Sequence, residues 1–233
     1  MFLRRSITLL ASVISLQAST LIPLLLPSPA YAIPKNEAIA KLKNIVVYVI
    51  TSSKDEFVFS QRGDLAIVKV FMSKDSALSE LAEFQKSDRL FRGTLQRYTL
   101  NDLYPIIESS AKTLTESSSR KFIFPIVNEV SNTDKAREIL LSQGVSEDVI
   151  TKNLRVPVFY TEPMINMTYP GKSVKQMFFT EYSSLADFLS KLNPRRDPKI
   201  KVLNLDQVLE IIIDERKDMF GIYPNAQFLS ESN

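Results

Sequence analysis

Val174–Leu192, VKQMFFTEYSSLADFLSKL, restates a passage that stands earlier in the chain at Ile67–Gln85, IVKVFMSKDSALSELAEFQ. With Phe178 placed on Phe71, each reads as an apolar strand ending at Ser73 or Thr180, followed by a helix. Leu78, Leu81 and Phe84 in one copy, and Leu185, Phe188, Leu189 and Leu192 in the other, recur at helical rather than strand spacing. Ser73 and Thr180 suit the N-cap position, where a hydroxyl accepts an orphan N–H of the first turn. Asp75 and Glu181 then lie near the positive end of each helix.

The likeness spreads in both directions. Upstream, Asn44–Tyr48 (NIVVY) parallels Arg155–Phe159 (RVPVF); downstream, Leu100–Ile107 (LNDLYPII) parallels Leu205–Ile212 (LDQVLEII). Self-similarity on this scale decides architecture ahead of any short motif. The expectation is an α+β fold of two pseudo-twofold-related repeats, each strand-strand-strand-helix-strand-helix, around a mainly antiparallel sheet. Repeat one covers about 42–114 and repeat two about 154–218. A connecting strand and helix occupy 115–153, and 219–233 is an irregular tail with an apolar patch at Phe228-Leu229. Pro105 is expected in the first turn of its helix, and Gly144 as the stop of the helix over 133–142. A repeat of about 65 residues buries only about 60% of its surface alone, so the two are expected to fuse into a single domain, 33–233.

Among the strand residues, Val70 and Met72, with Met177 and Phe179 in the second copy, should face the following helix. Ile67, Lys69 and Phe71, with Val174, Gln176 and Phe178, form the opposite, mixed face, which reads as half-exposed. Apolar patches on such a face mark partner sites. The candidate client-binding residues are therefore Phe71, Phe178, Ile67, Val174 and Met177, with Met164 and Met167 supplying an adaptable surface.

The chain of 233 residues has no Cys, His or Trp and only five Gly. That removes disulfides, the usual zinc sites, Cys nucleophiles and Ser-His-Asp triads, and leaves no Gly-rich phosphate loop. Carboxylate pairs Glu181/Asp187 and Glu210/Asp214 sit at helical spacing but among polar neighbours, and read as solvated faces. No catalytic residue, cofactor or metal is expected, and the protein is not read as an enzyme. Lys plus Arg number 29 against 26 Asp plus Glu. Such a near-balance does not suit a nucleic-acid binder. The basic cluster Lys191, Arg195, Arg196, Lys199 and Lys201 reads as a solvated loop.

Met1–Ala32 has the parts of an export signal: Arg4-Arg5, an apolar run from Ile7 to about Leu26, and small residues at Ala30 and Ala32. Cleavage is expected after Ala32, by the general secretion route, since the residues after Arg4-Arg5 fit a twin-arginine signal poorly.

These strands, the KVFMSKDSALSEL and QMFFTEYSSLADFL units and the Tyr223-Pro224…Phe228-Leu229 ending resemble the family of the twenty-two-kilodalton component of the translocon at the inner envelope of chloroplasts. The similarity spans the chain beyond the signal. Val46 stands where that family tends to have Pro, and Arg155 where it tends to have Gly. The resemblance implies a non-enzymatic, chaperone-like factor for unfolded precursor proteins, or for outer-membrane barrel precursors, working with translocon components. It also implies a soluble or peripherally attached protein of the plastid envelope intermembrane space or the cyanobacterial periplasm, while export into a plastid leaves the thylakoid lumen as a further location. The signal looks like that of a cyanobacterial or algal-plastid member. The alternative reading is an exported receptor for a small apolar ligand, a lipid or pigment.

Overall fold

The computed structural model describes residues 34–117, 121–168, 174–192, 198–214 and 219–231. The expected signal and its cleavage point lie outside them, as do Arg195 and Arg196. No helix among the described residues is long and apolar enough to cross a membrane.

Helix α1 (Lys35–Ala40) and a 3-10 turn (Lys41–Asn44) lead into β1 (Val46–Ser52), whose run VVYVIT is buried throughout. A short β2 (Ser60–Arg62) and β3 (Leu65–Ile67) form a hairpin around Gly63, whose φ of 63° lies in the left-handed region that glycine adopts most readily. Then come β4 (Val70–Phe71), α2 (Lys74–Ser87), β5 (Gly93–Thr99), α3 (Leu100–Ser117), β6 (Lys121–Ile123), β7 (Ile126–Val127), α4 (Val130–Ser142) and α5 (Glu147–Asn153). The second half follows with β8 (Pro157–Glu162), β9 (Asn166–Thr168), β10 (Val174–Phe179), α6 (Tyr182–Leu192), β11 (Lys199–Asn204), α7 (Leu205–Ile213), β12 (Phe220–Tyr223) and α8 (Ala226–Glu231).

Sheet one runs β5-β1-β4-β7 and sheet two runs β11-β8-β10-β12, with β9 on β10; β2-β3-β6 is a third, small sheet. In each large sheet the first two pairings are antiparallel and the last, β4–β7 or β10–β12, is parallel. The spacing matches in detail. Leu100 N–H bonds Ile45 C=O and Leu205 N–H bonds Val156 C=O, so α3 and α7 leave their sheets at corresponding places. Tyr48 sits opposite Phe71, and Phe159 opposite Phe179.

That last correspondence corrects the expected alignment by one residue: Phe71 answers to Phe179, not Phe178. A slip of one reverses every side chain on a strand. Met177 and Phe179 do face α6, packing with Leu185 and Phe188. In the first half, however, Phe71 faces α2, packing with Ala77, Leu81 and Phe84, while Val70 and Met72 lie on the opposite side. The third strand expected over 65–72 is also divided, because after Ile67 the chain leaves the small sheet and re-enters sheet one at Val70.

The stretch from 219 to 231 is not irregular. It forms β12, the parallel edge of sheet two, and α8. Likewise β7 completes sheet one from within the expected connector. The helices after these edge strands cross over: α4 lies on β8 and β11 of sheet two, and Phe228 of α8 packs with Val46, Tyr48 and Phe71 of sheet one. The largest buried cluster draws on both halves, including Val47, Val70 and Leu103 as well as Val158, Phe178 and Val208.

Local signals mostly act as their chemistry requires. Ser73 Oγ caps α2 by accepting from Ser76 N–H. Gly144 (φ 83°) ends α4: its N–H reaches Leu141 C=O while Val145 N–H reaches Leu140 C=O, the paired closure that spares carbonyls from going unmet. Thr180 does not cap α6. Its hydroxyl is buried without a hydrogen-bond partner among the described residues, and Glu181 directly precedes the helix. Pro105 falls past the first turn, since α3 begins at Leu100.

Candidate functional site

The residues picked out from the repeat do not assemble. Phe71 is 3% exposed and Phe178 2%, and they belong to different buried clusters. The half-exposed reading of these two is therefore corrected: helix α2 covers one, and the interior shared by the halves encloses the other. Met177 is buried on the opposite face of β10 from Phe178. Val174 is 51% exposed at the start of β10. Only Ile67 and Phe71 meet, at a pit of ≈ 10 Å³ roofed by the Lys69–Glu80 ion pair of 2.6 Å. That holds one water at most.

An open concavity lies elsewhere, between the beginnings of α3 and α7. Each helix contributes its first residue and the one four further on, Leu100 and Tyr104 from α3, Leu205 and Leu209 from α7. Leu42 of the 3-10 turn and Val156 complete the floor with Leu100 and Leu205, all buried. Phe124, on the segment linking β6 to β7, and Ile126, the first residue of β7, form a wall and remain partly exposed, as do Tyr104 and Leu209. The cleft has a volume of ≈ 260 Å³. Pockets for drug-sized ligands run about 300–1,000 Å³, so this one suits one or two apolar side chains.

Two charges stand on the rim, Arg155 and Asp206, both exposed. Asp206 Oδ1 accepts from Gln207 N–H at 2.9 Å inside the first turn of α7. The Arg155 guanidinium makes no hydrogen bond or ion pair among the described residues, yet its backbone is held: its N–H donates to Asn204 Oδ1 at 2.8 Å, and Asn204 Nδ2 donates to Asn153 C=O at 3.0 Å.

The carboxylate pairs stay apart from the cleft. Asp187 is matched with Lys191 at 2.6 Å on the α6 surface. Glu181 is not on a solvated face as expected. Half-buried, it accepts from Ala226 N–H at 2.8 Å and Ser184 Oγ at 3.0 Å, and burial pushes its carboxyl above the ordinary range against those two bonds. Within the basic cluster, Lys201 lies 3.6 Å from Glu162. No group of three or more acidic residues poised to hold a metal occurs among the described residues.

In the sequence, Arg155 stands out only where the resembling family tends to have Gly, and Phe124 does not stand out at all. Nothing in spacing showed that residues 42, 100, 124, 155 and 205 would share one opening. A cation inside the apolar run LRVPVF was the available signal.

The class of fold is thus α+β, with two large sheets of like strand order, helices crossing between them, and an apolar cleft between the starts of two matching helices. Solved structures with this fold include Tic22 from Plasmodium falciparum, at TM-score 0.67 and 19% identity, covering 83% of this chain and 94% of that one. Anabaena Tic22, described as a protein of protein transport, superposes at TM-score 0.69 and 14% identity over 86% of this chain and 96% of its own. The chain has the Tic22 fold, as the resemblance in its repeated motifs implied. No protein-family model matches the sequence, and no curated protein does.

Proposed function

We propose that this protein is a chaperone-like factor in protein transport that holds apolar segments of unfolded precursors in the cleft between α3 and α7. One observation carries the reading: an apolar opening of ≈ 260 Å³ whose walls, Tyr104, Phe124, Ile126 and Leu209, stay partly exposed with no segment of the described chain filling it. An apolar recess with a few polar groups at its rim is the usual form of a binding site. The protein-transport description of the Anabaena neighbour supports the same class of role. The precursors, outer-membrane barrel precursors among them, would be met after export through the signal at 1–32. The envelope intermembrane space, thylakoid lumen or periplasm is the compartment, beside translocon components and peripheral to the membrane.

The same reading takes the chain as a duplicated pseudo-twofold unit fused into one domain. The matched strand orders and the cluster shared between halves support it. The cleft's size favours side chains over a lipid or pigment. Fluorescence anisotropy with labelled apolar peptides tests the proposal. Leu209→Asp and Tyr104→Asp, each checked for retained circular dichroism, should abolish capture; folded variants that bind like the parent would rule the cleft out. Native mass spectrometry of protein taken from its own source would instead favour the small-ligand receptor if a stoichiometric apolar molecule came with it.

A further inference from the structure

We infer that ordered water is bound where α4 meets the start of α6, paired with the side chains of Asn128 and Thr180. Asn128 Nδ2 and Thr180 Oγ1 are buried and find no hydrogen-bond partner among the described residues. One side chain joins their surroundings. Asn132, in the first turn of α4, donates from Nδ2 to Asn128 Oδ1 at 3.5 Å and accepts at Oδ1 from Tyr182 N–H at 2.9 Å, just past Thr180 in the chain. Asn132 is 5% exposed and Thr180 1%, so the neighbourhood is shut off from bulk solvent. Buried polar groups in native proteins are nearly always paired, and ordered water serves where no protein group does.

Turning the Asn128 amide round would not supply the missing bond. Its Oδ1 accepts from Glu129 N–H at 2.8 Å as well as from Asn132, and both of those donors would then face another donor. Nδ2 therefore needs an acceptor, which excludes a cation, while Thr180 Oγ1 can give or take a hydrogen bond. An anion is opposed by Glu129 and Glu181, each next in sequence to one of the two residues. Burial raises the Glu181 carboxyl, and the charge of Glu129 adds to the rise. What fits is a small neutral molecule that both accepts and donates, and water is that molecule. Helix α4 follows β7 of sheet one yet lies on β8 and β11 of sheet two. The water thus fastens the first half of the chain to the second at the place where it crosses over.

The test uses the full chain. In a crystal structure that shows ordered solvent, water should lie within hydrogen-bond distance of Asn128 Nδ2 and of Thr180 Oγ1; density at neither atom, or at one alone, would overturn the inference. Thr180→Val keeps the shape of the side chain and removes the hydroxyl, so the sign of its effect is a second, independent measurement. An unpaired Oγ1 would burden the folded state, and its removal would raise the urea midpoint. With water bound there, the midpoint should instead fall by about 0.5 M, because the water loses a partner. A midpoint unchanged or higher, in a variant that keeps the parent's circular dichroism, would overturn the inference. If the variant does not fold, the parent's crystal structure decides the matter alone.

Discussion

Asn225 offers a quantitative test of how the chain's end is fastened to its beginning. Its side chain is fully buried; Oδ1 accepts from Val46 N–H and Phe228 N–H, each at 3.2 Å, and Nδ2 donates to Val46 C=O at 3.0 Å. Val46 lies two residues before Tyr48, whose cross-strand partner is Phe71, so its polar groups turn to the same side, past the end of β4. The amide of Asn225 stands in for the strand residue missing there, and also caps α8. Asn225→Ala strips both polar groups of Val46, which is 0% exposed, of this partner. Each buried group left unpaired costs about 1–3 kcal/mol, and a lost cap adds about 1 kcal/mol. The expected loss is on the order of 3–7 kcal/mol, a large share of the roughly 5–15 kcal/mol typical of a folded domain. At about 2–4 °C per kcal/mol for a chain of this size, Tm should fall by roughly 10 °C. Urea unfolding measures the loss, and amide exchange at Phe228 reports whether α8 loosens. A loss under about 1 kcal/mol, with Phe228 exchange unchanged, would refute the account.

Phe178→Ala should cost about 3–5 kcal/mol in urea unfolding, as expected for an aromatic deleted from a packed interior, while peptide capture by the folded fraction stays unchanged; lost capture at full stability would restore it to a docking face. Ser73→Ala should cost about 1 kcal/mol, the worth of an N-cap, checked by the same unfolding curves. For Glu181 the sign runs opposite to that of an ion-paired carboxylate. Its folded-state carboxyl is raised above the ordinary value of 4.5, chiefly by burial, so the ionised form burdens the native state at neutral pH and the burden lifts as pH falls through the raised value. Glu181→Gln, which keeps an acceptor for Ala226 N–H, should stabilise the protein at neutral pH, with the gain vanishing in acid; a gain that grows on acidification would contradict the burial argument.

Much of the fold is written in the order of the chain. The doubled strand-to-helix passage, the cap at Ser73 and the stop at Gly144 are signals spanning a few residues, and local chemistry reads them the same way wherever they fall. The one-residue slip between Phe71 and Phe178 shows where that legibility ends. Side-chain likeness placed Phe on Phe, but the facing of a strand is set by which partner carbonyls its N–H groups reach, and those belong to β1 and β8, more than twenty residues away in one half. The tail read as irregular for a related reason: FGIY becomes a strand because β10 offers it a free edge, and α8 becomes a helix against sheet one because Asn225 and Phe228 find Val46 and Phe71 there.

By itself, then, the sequence determined the α+β class and the want of Cys and His chemistry, since each is a property of composition or of short-range pattern. The tertiary structure alone decided which aromatics are sealed and which opening remains. Burial depends on what crosses over a surface from far along the chain, and the cleft exists because residues 42, 100, 124, 155 and 205 converge without closing the gap between two helices.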